Sequence, residues 1–442
     1  MSIPVIMLLP SSSAMSAMSM AAGGETSGGE LPEGFTLDPE FPPVAIGDET
    51  TQASMASAVG AEAFEEPKVA VRGFIDATLE DVPETVGGNP IFSDPEIDTC
   101  LTCIGDGPVG TSADVAAMLD QSGLWDRGMT GENVAVAIMD TGINLTHLES
   151  KMGWVPNFDS ANSWVKPGSP HHPGEYPVGH GTMCAFDVLI AAPWATLLDF
   201  PILFKSGINA VLSSALLTFS NILTARTSGG LSGYSGVVIS NSWGVFHPSW
   251  DFPPGHPGRY IDNPNHPFLL QLESLARSGI DMFFAAGNCG ADCPDGRCQG
   301  VTPHTIRGAN ASIDVLSIAG CDTNDSRVGY SSQGPSIPGI PGDKPDITAY
   351  THFLGSEAFG AGVPDSGTSA ACPVAAGCMA ALRTKILPLV QGGNWMNTYM
   401  LYDHLRGNAA VPPGLAAGWN GDYGHGIIRP VPVADLFGPW TP

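Results

Sequence analysis

The sequence predicts an α/β fold in three layers, with a mostly parallel central sheet covered by helices on both faces. Two observations carry the prediction. Apolar strand-length segments recur at Val134–Met139, Thr196–Ile202, Gly236–Ser240 and Met282–Ala286, and helix-length segments alternate with them at Gly181–Ala192, Asn209–Arg226 and Pro267–Arg277. Strands apolar on both sides need cover on both faces, and strands alternating with helices build parallel sheets. Polar residues then stand just past the strand ends: Asp140, Asn241 and Asn288. In open α/β sheets ligands gather outside the carboxyl ends of the strands, so these residues mark one functional edge.

Composition narrows the function. The 442 residues carry 17 Lys+Arg against 44 Asp+Glu, a net charge of −27, and 43% are hydrophobic. So large an apolar fraction argues against a disordered chain, and so few bases argue against a nucleic-acid partner. The acidic excess comes from scarce bases and reads as solubility, not as a binding site. The longest central apolar stretch, Val188–Phe204, is broken by Pro193, Asp199 and Pro201, so no membrane span is expected.

In chain order, residues 1–67 are rich in Ser, Ala, Met, Gly and Glu with little periodicity, which reads as a disordered or loosely docked extension. Ile3–Leu9 resembles the apolar core of an export signal, yet the first basic residue is Lys68, whereas such signals open on positive charge. Across 68–111, Val69, Val71 and Phe74 alternate and Pro90-Ile91-Phe92 leads to an acidic end, giving a small accessory or propeptide-like segment. Residues 112–442 read as one continuous domain.

Three motifs in that domain supply an acid, a base and a nucleophile: Asp140-Thr141-Gly142 after a strand, His180-Gly181-Thr182 opening a helix, and Gly367-Thr368-Ser369-Ala370-Ala371-Cys372-Pro373 opening another. A serine hydroxyl needs a histidine to take its proton, and that imidazole needs a carboxylate to fix its tautomer. Ser369 at a helix amino terminus meets free N–H groups and the positive end of the dipole. Pro373 is expected in the first turn, where it loses no needed donor. Small residues from Ala370 to Gly377 let this helix run close to its neighbours.

Any one triplet is weak evidence, but the ordered set resembles the subtilisin-like serine proteases (subtilases), over roughly Leu124 to Phe437. The resemblance also rests on Ala191-Ala192-Pro193 before Leu197-Leu198-Asp199, Ser240–Gly244, Ala285-Ala286-Gly287-Asn288, Tyr330–Pro335, Lys344–Ile347 and Ser366–Gly377. It implies the three-layer subtilisin-like fold and a peptidase domain over 112–442. Asp140 would then orient, His180 act as base and acid, Ser369 attack, and Asn288 donate to the oxyanion. It further implies that Ser242, Trp243 and Gly244 form the substrate-binding strand, with the indole of Trp243 as an apolar pocket wall. No acidic residue is clearly placed to demand Arg or Lys before the scissile bond. No cofactor is required; structural calcium is common in the family, but its ligands are not assignable to positions here, and no metal-ligating residues are named.

Two positions depart from the family pattern: Phe186 stands where a small residue is common, and Thr351 where a glycine is common. Cys184, one turn after His180, reads as a small core residue, or else as a thiol that sensitises the site to mercurials. Cys289, Cys293 and Cys298 admit disulfides, free thiols or a metal, of which a disulfide-stapled loop beside Asn288 fits best and favours export. The expected function is a serine endopeptidase acting on peptide or protein substrates through an acyl-enzyme; the segment before its domain reads either as an atypical propeptide cleaved near Thr99 to Ser112 or as a plain tail or small accessory element. The alternatives are a dedicated maturation protease for one precursor and a catalytically silent binding protein of the same fold.

Overall fold

The computed structural model describes residues 2–21, 31–47, 67–99, 107–165, 168–204, 210–388, 396–438 and 440. The apolar run at the amino terminus is not a loose tail but strand β1 (Ser2–Pro10) at the middle of a sheet. Its companions are β2 (Phe35–Leu37), β3 (Val44–Ala45), β4 (Lys68–Asp76), β5 (Thr85–Val86) and β6 (Asn89–Ser93). The order is β2-β4-β1-β6-β5, with β3 also on β4. β1 runs antiparallel to β4 along its whole length, from Ser2 opposite Asp76 to Pro10 opposite Lys68. The expected division at residue 67 therefore cuts through one sheet, and the disordered reading fails for its strands. The reason is non-local: β1 is apolar because it is covered on both faces, by residues distant in sequence.

Alternation along β1 shows what covers it. Val5, Met7 and Leu9 pack with Phe35, Val71 and Ile91. Ile6 and Leu8 join a larger core with Phe92 and with Leu212, Leu216 and Phe219 of the Leu212–Ser228 helix. That helix has no side-chain cap of its own. Asp94, just past β6, supplies one, its carboxylate accepting from the N–H (2.8 Å) and hydroxyl (3.0 Å) of Ser213. A carboxylate at a helix amino terminus meets both orphan donors and the dipole. Arg72 on β4 donates to the same carboxylate at 2.7 Å. The chain then passes along the helix start, Leu212 N–H donating to Pro95 O (3.1 Å) and Ile97 N–H to Ala210 O (3.0 Å), and reaches β7 (Asp98–Thr99).

The main sheet is formed by β8 (Val134–Met139), β9 (Thr196–Phe200), β10 (Gly236–Asn241), β12 (Ile280–Ala285), β13 (Leu316–Cys321) and β14 (Ile347–Tyr350), while β11 (Trp243–Gly244) pairs elsewhere. All its pairings are parallel, in the order β14-β13-β12-β10-β8-β9. Val134, Val136 and Ile138 face a core shared with the His180–Ala191 and Thr368–Arg383 helices, whereas Ala135, Ala137 and Met139 face the Leu212–Ser228 and Pro267–Arg277 side. This is the three-layer α/β arrangement expected from the sequence. β13 and β14 were not among the expected strands. Ser317 and Gly320 interrupt the apolar run of β13, and a Cβ at Gly320 would lie 2.8 Å from the Thr351 side chain.

The Thr368–Arg383 helix is buried along its whole length. Its last residue, Arg383, forms a fully buried pair with Asp281 of β12 through Nε (2.6 Å) and Nη2 (2.7 Å). Nη1 donates to Met396 O at 2.6 Å. Because a charge stripped of its partner inside a protein is very costly, this pair fixes the far end of the helix whose near end carries Ser369.

Candidate active site

Asp140 follows β8 directly, and the chain then turns through Gly142, whose φ of +102° and whose contact with Tyr176 leave no room for a side chain. A Cβ on Gly181 would lie 2.6 Å from Gly142 O, so two glycines allow the start of the histidine helix to seat against this turn. Thr141 Oγ1 accepts from Gly181 N–H at 2.9 Å. The result is a buried pair in which His180 Nδ1 lies 2.8 Å from Asp140 Oδ1 and 2.9 Å from Oδ2. A carboxylate at Nδ1 holds the proton there and turns Nε2 into the acceptor. Nε2 is buried and has no hydrogen-bond partner among the described residues.

Ser369 is the second residue of its helix, after Gly367 at φ +82°. Gly367 is held on both sides: its N–H donates to Tyr330 OH (3.1 Å) and its carbonyl accepts from Thr351 Oγ1 (2.6 Å). The departure at Thr351 is thus a tether for the turn before Ser369. The Ser369 hydroxyl donates to Ser242 O at 3.2 Å, and Ser242 Oγ donates back to Ser369 O at 2.9 Å. That carbonyl is available because Pro373 has no N–H to offer it. Pro373 therefore lies beyond the expected first turn and does remove a helix donor, which Ser242 replaces.

Cys184 joins the three residues. Its Sγ lies 3.6 Å from Asp140 Oδ2, 3.8 Å from His180 Nδ1 and 3.5 Å from Ser369 O. Among the described residues, Asp140, His180 and Cys184 are the grouping whose ligand atoms come within 4.8 Å of one another. Burial pushes the thiol well above its usual range, with the Asp140 charge adding to the effect. It is a neutral packing and donor group there.

Asn288 is fully buried, and its Oδ1 accepts from both the N–H and the hydroxyl of Thr368, each at 2.9 Å. These bonds fix which end of the amide is oxygen beside Ser369. Beyond it, Cys289 and Cys298 form a disulfide and Cys293 is disulfide-bonded as well, so the metal and free-thiol alternatives for this loop fall.

The segment Ser242–Gly244 does lie beside Ser369, but Trp243 differs from expectation. Its side chain is wholly buried against Phe268 and Phe284, in the core behind the strand. Side chains alternate along a strand, and this one points inward. The pocket beside the strand is lined instead by Gly244, Phe246, Gly287, Thr305, Arg307 and Asn310. Its charged group is the guanidinium of Arg307, whose pKa is lowered to about 10 by burial and by Arg259. The open face of β11 is also occupied: β7 pairs antiparallel with it, Thr99 opposite Trp243 and Asp98 opposite Gly244.

Sequence reasoning missed three buried carboxyls near the site. Asp187, on the histidine helix, is raised well above the usual range by burial and by Asp365. Asp365, in the turn before Ser369, is pushed up to about 6 by burial while accepting from the N–H and hydroxyl of Ser356. Asp199, at the end of β9, is pushed up to about 7, first by burial, although Gly174 N–H (2.9 Å) and Ile143 N–H (3.2 Å) donate to it. An unfolded aspartate titrates near about 3.9. Between those values the native state holds the extra proton, so this group's stabilising contribution is lost as pH rises from about 4 to about 7. Asp199→Asn keeps an acceptor and cannot ionise. Its melting temperature is expected to gain on wild type between pH 4 and pH 8, by a margin worth on the order of a few kcal/mol; a margin independent of pH would contradict this.

The sequence profile of the subtilase family (Peptidase_S8) matches residues 131–426, and the chain belongs to that family. Human membrane-bound transcription factor site-1 protease is 26% identical over 343 residues, covering 74% of this chain and 27% of that protein. Rat proprotein convertase subtilisin/kexin type 4 is 28% identical over 348 residues, covering 72% and 45%. The chain thus spans about a quarter to a half of the length of these curated relatives. Among solved structures, that of MycP1 from the ESX-1 type VII secretion system aligns with a TM-score of 0.48 at 16% identity, covering 79% of this chain and 94% of that one. No described helix is long and apolar enough to cross a membrane.

Proposed function

We propose that the chain is a serine endopeptidase that hydrolyses peptide bonds through an acyl-enzyme, with Ser369 as nucleophile, His180 as general base and acid, and Asp140 as its orienting partner. The observation that carries this reading is the buried Asp140–His180 pair, which shares Cys184 with Ser369 at one sheet edge. A substrate strand adds to Ser242–Gly244 by backbone hydrogen bonds. Ser369 Oγ turns from Ser242 O toward His180 Nε2, gives up its proton there and bonds to the scissile carbonyl carbon. Such contacts are often loose until substrate binds. The carbonyl oxygen becomes an oxyanion facing the Asn288 amide and the Ser369 N–H. His180 returns the proton to the leaving amine, and water then cleaves the ester by the same steps in reverse order.

The N-terminal unit fits a maturation role in this reading, because it lays Asp98–Thr99 along the proposed substrate strand. Cleavage is proposed between residues 99 and 112, of which 100–106 lie outside the described residues. A protease dedicated to one precursor is the narrower form of the proposal, favoured by the small pocket that Arg307 and Phe246 close.

The test is fluorophosphonate labelling together with casein cleavage, with intact mass read on the same sample. Labelling with casein turnover supports a general endopeptidase, and labelling without it supports the dedicated form. Folded protein that does not label overturns the proposal, and active protein that stays full-length overturns the maturation step. Asn288→Ala is expected to lower kcat by about 10²- to 10³-fold. A loss below about threefold would remove Asn288 from the oxyanion role.

A further inference from the structure

We infer that Arg297 is a specificity determinant, and that the cleft selects peptides carrying an aspartate or glutamate at the position opposite Gly244. This rests on the proposed reading of Ser242–Gly244 as the substrate-pairing strand. The chain's own residue in that register is Asp98. Arg297 Nη1 lies 2.9 Å from Asp98 Oδ2, while Asp98 Oδ1 accepts from Thr99 N–H at 2.8 Å. The neighbours of Asp98 do not share its environment: Ile97 is fully buried and Thr99 nearly so. The acid is therefore the side chain of this segment that meets a charged partner in the cleft.

Arg297 is arranged to receive it. Asp295 accepts from Nε at 3.0 Å and from Nη2 at 2.9 Å, which fixes the plane of the guanidinium. Its Cζ lies 3.8 Å from the centre of the Phe246 ring, and Phe246 O is held in turn by Arg307 Nη1 at 2.7 Å. The Cys289–Cys298 disulfide closes the loop beside it. A guanidinium locked by stacking and a bidentate carboxylate has already lost the rotamer freedom that binding would otherwise remove. Its Nη1 lies toward Asp98 of β7, the place that a paired substrate strand would take. In a chain of net charge −27 with 17 Lys+Arg, acidic peptides are repelled on the whole, so their recognition needs such a local cation.

The test compares full-length wild type with Arg297→Glu on fluorogenic peptides that copy residues 93–105, with the residue matching Asp98 kept as Asp or changed to Asn or Lys. Wild type is expected to prefer Asp over Lys by about tenfold or more in kcat/KM, with Asn between, and Arg297→Glu to invert the order. Equal turnover of the Asp and Lys peptides by enzyme that labels with fluorophosphonate overturns the inference and leaves the peptidase reading standing. Folded wild type that does not label removes both. If enzyme that labels admits none of the peptides, the labelling rate of the intact chain decides. Asp98→Lys and Arg297→Glu should each speed labelling by loosening the bound segment, and the double swap should restore the wild-type rate. Equal rates in all four proteins overturn the inference.

Discussion

Ser369→Ala is expected to abolish fluorophosphonate labelling and to lower kcat on peptide substrates by about 10⁶-fold, the size of loss that follows removal of the nucleophile in subtilisin itself. The fold should survive. The hydroxyl's bond to Ser242 O, at 3.2 Å, is long, and its loss costs about 1 kcal/mol. The elements that build the turn do not involve the hydroxyl: Tyr330 and Thr351 hold Gly367, Asn288 holds Thr368, and the Ser369 carbonyl still accepts from Ser242 Oγ. A melting temperature close to wild type with no labelling is therefore the expected pair of results. Labelling that persists in the variant would mean that another residue attacks the probe and would remove Ser369 from the mechanism.

The contact of Asp140 with His180 and the place of Ser369 at a helix start were largely legible in the sequence because these parts are local and tightly constrained. Asp140 must follow a strand closely, Gly142 and Gly181 must be glycine for two segments to touch, and the helix at Ser369 must be lined with small residues to pass through the core. Each demand leaves a short signature. What was not legible depends on contacts between distant segments. The apolar residues of β1 give no hint that Lys68–Asp76 will pair with them. The inward turn of Trp243 depends on Phe268 and Phe284 waiting behind the strand. Nor does the spacing of Asp98, Gly244 and Arg297 reveal that they meet. Phe186 was read as a packing change, and it sits against Gly355, where a Cβ would lie 3.1 Å from the Phe186 ring.

Asp140→Asn should lower kcat by about 10⁴-fold with little change in KM, and the geometry gives the reason. Asp140 Oδ1 accepts from Thr141 N–H at 2.7 Å, a bond that an amide nitrogen cannot replace. The asparagine oxygen is therefore expected at the Oδ1 place and its NH₂ at the Oδ2 place, which lies 2.9 Å from His180 Nδ1. There the amide donates, which favours the tautomer in which Nδ1 accepts and Nε2 carries the imidazole proton over the one in which Nδ1–H still donates to the oxygen at the Oδ1 place, 2.8 Å away. A protonated Nε2 cannot take the proton of Ser369, although every heavy atom stays close to its wild-type position. Substrate pairing along Ser242–Gly244 and the Asn288 amide are untouched, so binding should persist while the chemical step fails. The measurement is kcat and KM together with a ¹⁵N spectrum of the imidazole, which should report the proton on Nε2 in the variant and on Nδ1 in wild type. A loss below about tenfold, or an unchanged tautomer, would mean that the carboxylate does not orient His180, and the pair would then serve to hold the helix start against β8.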